Sequence, residues 1–118
     1  RRIDAEAIAR MNLPPNRLLA AIGPCSGFES SEVGPQVLAE FEKTFPADPP
    51  IARHADGSGK GTVDLRRAVR QQLLALGLPD AQIDTTDRCT FRHADEFFSH
   101  RRDHGVTGRM AALIATRP

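Results

Sequence analysis

Two amphipathic stretches and the segment between them constrain this chain most. Val33, Val37, Phe41 and Phe45 recur every four residues with Leu38 beside them, and Leu65, Ala68, Val69, Leu73 and Leu76 repeat the helical period. Between them lies PADPPIARHADGSGKG, residues 46 to 61, proline-rich in one half and glycine-rich in the other. Neither a helix nor a long strand can absorb it, so it reads as a surface loop with an extended piece at Ile51–Arg53. Pro35 suits the first turn of the first helix and Pro46 ends it. Thr62 is the expected N-cap of the second helix, and Gly77 its stop.

The same logic divides the rest. Ile3, Ala7, Ile8 and Met11 share a helical face over residues 4 to 12, ended by Pro14–Pro15. RLLAAIG, residues 17 to 23, reads as a buried strand, and GPCSGFESSE, residues 23 to 32, as a loop. Gln82 to Thr86 reads as a short strand and Ala94 to Phe97 as one helical turn. Phe98–Arg102 and Arg109–Thr116 read as two strands joined by the Gly105–Gly108 turn. MAALIA, residues 110 to 115, is expected to be central or covered on both faces. Mixed helices and strands imply an α/β (α+β layered) fold, a mixed sheet packed with helices.

At 118 residues the chain is one domain or part of one. A net charge of +1 makes no electrostatic case for nucleic acid or anionic membrane, and no apolar run approaches the ~20 residues of a membrane span. Cys25 and Cys89 form no CxxC pair or zinc-ribbon spacing, and with no secretory pattern both read as reduced thiols of a cytoplasmic protein. DGSGKG, residues 56 to 61, lacks the P-loop spacing.

The densest charge is in FFSHRRDHGVTGR. Arg101 and Arg102 offer planar paired donors for phosphate or carboxylate, Asp103 can hold one of them, and His100 or His104 can move protons near neutral pH. An ion-pair network finishing a strand end explains the same residues. On a strand the two arginines would face opposite sides. Cys25, just after a strand, is a candidate nucleophile if a base lies beside it.

Four segments in order, AAIGPCSGFESSEVGPQVLAEF, GKGTVDLRRAVRQQLLALGL, IDTTDRCTF and DEFFSHRRDHGVTGRMAALI, together resemble the C-terminal half of the multicopper polyphenol oxidase or laccase-domain family. The resemblance implies zinc-dependent purine nucleoside phosphorylase and adenosine deaminase chemistry, with purine nucleoside and phosphate as ligands. Arg101, Arg102, Asp103, His100, Cys25 and Phe28 carry over as pocket or scaffold candidates. Phe28, Phe97 or Phe98 would wall the base. The family's A-D-C and H-A-G-W zinc-ligand segments do not occur here, so no zinc is expected from this chain alone, and the first residue is arginine. The chain therefore reads as the second half of a longer protein, weakly active or inactive alone. Ser30 and Ser31 replace a cysteine and an aromatic common before EVG, His100 stands where tyrosine is frequent, and the turn is one residue longer at His104 or Gly105. The alternative from another class is a non-catalytic interaction module, pairing with the missing N-terminal half or with itself.

Overall fold

The computed structural model describes residues 3–115. In chain order they form α1 (Ile3–Met11), β1 (Ala20–Ile22), β2 (Glu32–Val33), α2 (Pro35–Thr44), β3 (Ile51–Arg53), β4 (Gly61–Val63), α3 (Leu65–Ala75) and β5 (Ile83–Thr85), with single 3-10 turns at Pro15–Arg17, Phe28–Ser30 and Asp80–Gln82. The class is α/β as expected, but the strands form two small sheets. β1 pairs parallel with β5, Ala20 against Ile83 and Ile22 against Thr85. β2, β4 and β3 form an antiparallel sheet with β4 central. No described helix is long and apolar enough to cross a membrane.

α3 shows why its residues make a helix. Its N-cap is Asp64, whose carboxylate accepts the Arg67 N–H at 3.0 Å. Thr62, the expected cap, lies inside β4, because pairing with Ala52 and Glu32 holds it extended. At the other end Gly77 takes φ +97°; its N–H reaches Leu74 O at 3.0 Å and that of Leu78 reaches Leu73 O at 3.2 Å. This pair of hydrogen bonds satisfies two of the last carbonyls, and Gly77 permits it at no Cβ penalty. The turn delivers Leu78 into a core with Leu18, Leu73 and Ile83, onto which Ile8, Ala20, Ile22 and Val69 pack. Leu38, Pro50 and Val63 are buried under α2 and the antiparallel sheet.

The C-terminal pair of strands is not there. Phe98–Arg102 enters a run of turns through Gly105, and residues 106 to 115 form neither strand nor turn; Thr116, the last residue of the expected strand, lies outside the described residues. Leu113 is 97% exposed and Ile114 81%, the reverse of a covered central strand. A strand needs a partner for its N–H and C=O groups, and among the described residues none lies beside this segment. The apolar face of α1 is likewise open: Ile3 and Met11 are exposed and only Ile8 reaches the core. The Cα radius of gyration, 15.9 Å, exceeds the ~13.5 Å of a compact domain of this length.

Gly61 is the tightest point of the antiparallel sheet, where a Cβ would lie 2.2 Å from Ala52 O. Gly61→Ala is expected to destabilise the protein by roughly 1–3 kcal/mol, read as a lower urea midpoint at unchanged slope. Gly23→Ala, whose Cβ meets nothing within 4 Å, is the control.

Candidate functional site at the ends of the parallel strands

β1 and β5 run parallel and end together. Beyond them the two chains meet again, Cys25 pairing with Cys89 in a single parallel bridge and Thr90 N–H reaching Cys25 O at 3.0 Å. The carboxyl ends of parallel strands are where open α/β sheets place ligands. Here a pocket of about 240 Å³ is lined by Gly27, Phe28, Ser30, Arg66, Cys89 and Arg92, together with the carboxylates Glu29 and Asp87.

Cys89 sits in that pocket, buried. Gly27 N–H donates to its Sγ at 3.1 Å, and Ser30 Oγ lies 3.8 Å away. Burial pushes the thiol up, but the N–H groups of Gly27, Arg92 and Phe91 and the Ser30 hydroxyl more than offset it, and the thiol is lowered to about 7. Cys25 behaves oppositely. Burial pushes its thiol up, and the charge and hydrogen bond of Arg66 only partly oppose this. Among the described residues no histidine hydrogen-bonds to Cys25; its ionic neighbour is a guanidinium. Arg66 donates to Arg88 O, and its buried Nε has no partner.

Ser30 and Ser31 are structural. Ser31 Oγ donates to Gly27 O at 2.9 Å, closing the turn that aims Gly27 N–H at Cys89. His93 Nδ1 lies 3.1 Å from Cys89 N. The same ring nitrogen lies 3.1 Å from Cys89 O, which also accepts the His93 backbone N–H at 3.0 Å, so Nδ1 serves the Cys89 amide as acceptor or, when protonated, the Cys89 carbonyl as donor. His93 thus caps the turn that carries Cys89.

The RRD segment separates cleanly. Arg102 spends its whole guanidinium on the protein: Nη1 donates to Thr90 O (2.9 Å) and Phe91 O (3.2 Å), Nη2 to Phe97 O (2.8 Å) and Asp103, and Nε to Asp103 at 2.8 Å. Asp103 also accepts Ser99 N–H at 3.1 Å and the Thr107 hydroxyl at 2.7 Å. The Thr107 hydroxyl first, then the Ser99 amide and Arg102, hold its carboxyl down to about 2. Arg101 is exposed and uses only Nη1, on Ser30 O at 2.9 Å. The two arginines do have different environments, but as neighbours in a turn rather than by strand alternation. His100 is exposed with its ring against Gly105, and His104 and Gly105 both take positive φ, which gives the extra turn residue a place.

The structure therefore brings Cys25, Phe28 and Arg101 around the Cys89 turn, sets Arg102 and Asp103 beneath it, and leaves His100 at the surface. Arg66 and Cys89 lie in two of the segments that carry the resemblance, GKGTVDLRRAVRQQLLALGL and IDTTDRCTF, and Arg92 follows the second, but sequence reasoning named none of the three as a site residue. DGSGKG is the exposed connection between β3 and β4, with Lys60 on Glu32 at 3.2 Å. Among the described residues no three His, Cys, Asp or Glu side chains are grouped to hold a metal.

The architecture is a mixed α/β fold with an arginine-bordered pocket beyond a parallel strand pair. The chain belongs to the family described as multi-copper polyphenol oxidoreductase laccase, which matches residues 1–117. It is 39% identical over 108 residues to the purine nucleoside phosphorylase YlmD of Geobacillus stearothermophilus, covering 92% of this chain and 39% of that protein. It is 40% identical over 97 residues to a purine nucleoside phosphorylase of Bacteroides thetaiotaomicron, covering 82% and 36%. The crystal structure of the Geobacillus YlmD superposes with a TM-score of 0.79 at 34% identity, over 90% of this chain and 41% of that one. That of Neisseria meningitidis protein NMB0706 gives 0.79 and 34%, over 90% and 42%. The chain spans about two fifths of the length of the relatives it matches.

Asp103 has a depressed carboxyl, so its ionised form, held by the Thr107 hydroxyl first and then by the Ser99 amide and Arg102, contributes stability that is complete above the ordinary value of 3.8 and is lost as pH falls through about 2. Asp103→Asn is expected to flatten the stability profile across that window, measured by urea unfolding at stepped pH. Arg102→Lys, with fewer donors for the same acceptors, is expected to lose roughly 1–3 kcal/mol by the same measurement.

Proposed function

We propose that this chain forms part of the substrate pocket of a purine nucleoside phosphorylase. The carrying observation is 39% identity across 92% of the chain to a protein named for that activity. The geometry supports it in two places. Phe28 is 40% exposed at the rim of the strand-end pocket, available as an apolar wall for a purine. Arg101 engages one carbonyl through Nη1, and its remaining donors suit an anionic oxygen of phosphate. In this reading the Arg102–Asp103 clamp positions Arg101 and the Cys89 turn and touches no substrate. Zinc and adenosine deamination belong to the proposal for the longer protein, with ligands from segments of the relatives that this chain does not span.

Arg101→Ala in the longest form of the protein expressed by its own gene is expected to lower kcat/KM for phosphorolysis of inosine by tenfold or more, a loss of about 1.4 kcal/mol in transition-state binding, with unchanged thermal unfolding. Wild-type rates in that variant, or no phosphorolysis by the wild type, would sink the reading.

The interaction-module reading has an observation of its own, the exposed apolar run Met110, Leu113 and Ile114. Such a run drives association. If self-association is its role, Leu113→Asp with Ile114→Asp converts an oligomer of the 118-residue chain to monomer in sedimentation velocity; a wild-type chain already monomeric rejects it.

A further inference from the structure

Two thiols that the nucleoside reading does not use meet beside the site above, Cys89 lining the strand-end pocket and Cys25 the neighbouring cavity with Phe41, Ala68 and Val69. Cys25 and Cys89 are directly paired across an isolated parallel bridge. Bridged strands lie about 4.8 Å apart, inside the roughly 4.4–6.8 Å between α-carbons that a disulfide spans. Paired residues of a parallel bridge present their side chains to the same face. The two sulfurs are near enough that the charge of one raises the other. Both are free thiols.

We propose that Cys25 and Cys89 are a reversible redox pair, Cys89 reacting first with a small hydroperoxide and Cys25 resolving it to an intramolecular disulfide. The pocket favours that class of oxidant. Cys89 is 4% exposed in a pocket of about 240 Å³, so its sulfur is more readily reached by hydrogen peroxide than by a glutathione-sized disulfide. The chemistry balances. Cys89 thiolate attacks one peroxide oxygen, the O–O bond breaks, and hydroxide leaves and takes a proton from solvent. The Cys25 sulfur then attacks the sulfenic sulfur, the S–O bond breaks, and water leaves with the Cys25 proton. Two thiols are oxidised and one peroxide is reduced to two waters. The amides on Cys89 Sγ stabilise the attacking thiolate. Arg66, facing Cys25 with an unpartnered Nε, favours ionisation of the resolving sulfur, against Asp64.

The consequence reaches the rest of the site. Turning Cys89 Sγ toward Cys25 takes it from Gly27 N–H, and the Gly27–Ser31 turn carries the carbonyl on which Arg101 rests. Oxidation therefore loosens the support of Arg101, and reduction restores it.

The test is hydrogen peroxide treatment of the reduced 118-residue chain, followed by intact mass and non-reducing peptide mapping. The expected product is lighter by two hydrogens, takes up no alkylating reagent, joins the Cys25 and Cys89 peptides, and reverts with dithiothreitol. Its initial rate should rise about tenfold per pH unit below the Cys89 titration and level above about 7. Cys25→Ser, at a half-buried position, should stop at a Cys89 sulfenic acid trapped by dimedone, with the fold checked by circular dichroism. Linkage between chains through Cys25 with Cys89 still alkylatable, or Cys89 oxidised in the wild type without linkage to Cys25, overturns the proposal. Neither outcome bears on phosphorolysis, so the two readings fail separately.

Discussion

One guanidinium organises the C-terminal third of this protein. Arg102 collects the carbonyls of Thr90, Phe91 and Phe97 and the carboxylate of Asp103. These acceptors come from two turns that have no ladder to satisfy them, and buried carbonyls without partners would be costly. Arginine suits the task because its fork presents five donors in one plane. Asp103 neutralises the charge and ties in Ser99 and Thr107, so the FFSHRRDHGVTG loop holds its shape without a strand. Gly108 completes it: a Cβ there would lie 2.6 Å from the Phe98 ring.

The clamp matters because of what it touches. Thr90 and Phe91 follow Cys89, and Thr90 N–H binds Cys25 O, so the clamp and the strand-end bridge brace the same turn from opposite sides. Arg101 is then pinned by its neighbour's immobility and by Ser30 O. Adjacent arginines thus divide the labour, one saturated with protein acceptors and the other with donors left over. Asp64 has two roles of the same kind, capping α3 while lining the groove beside Arg66, Arg67 and Arg70.

The parts legible in sequence were those set by local chemistry. Helical periodicity located all three helices, Gly77 marked the end of α3, and Ile51–Arg53 is a strand. RLLAAIG contains β1, shortened because Pro15–Arg17 forms a 3-10 turn and Leu18 turns into the core. β2 and β4 were illegible: each is two or three residues long, and β4 begins in the glycine run, where Gly61 is needed for close approach of Ala52 rather than for a turn. At the site the charged cluster was visible but its division was not, since strand alternation and a clamped turn both separate Arg101 from Arg102. Cys89 was least visible, because the amides that lower its thiol come from Gly27, Phe91 and Arg92, and the long-range one lies 62 residues away.

The two segments read as closing strands show where such inference ends. An apolar run states that burial is favourable, not what provides it. MAALIA has the composition of a covered strand, and so does AAI in β1. AAI finds Ile83–Thr85 beside it and becomes a strand; the other finds no partner among the described residues and stays irregular and exposed. The difference is supplied by the neighbour. The solved relatives contain more than twice the chain that superposes here, and a β-strand completed by such additional chain would bury Leu113 and Ile114 while satisfying their backbone.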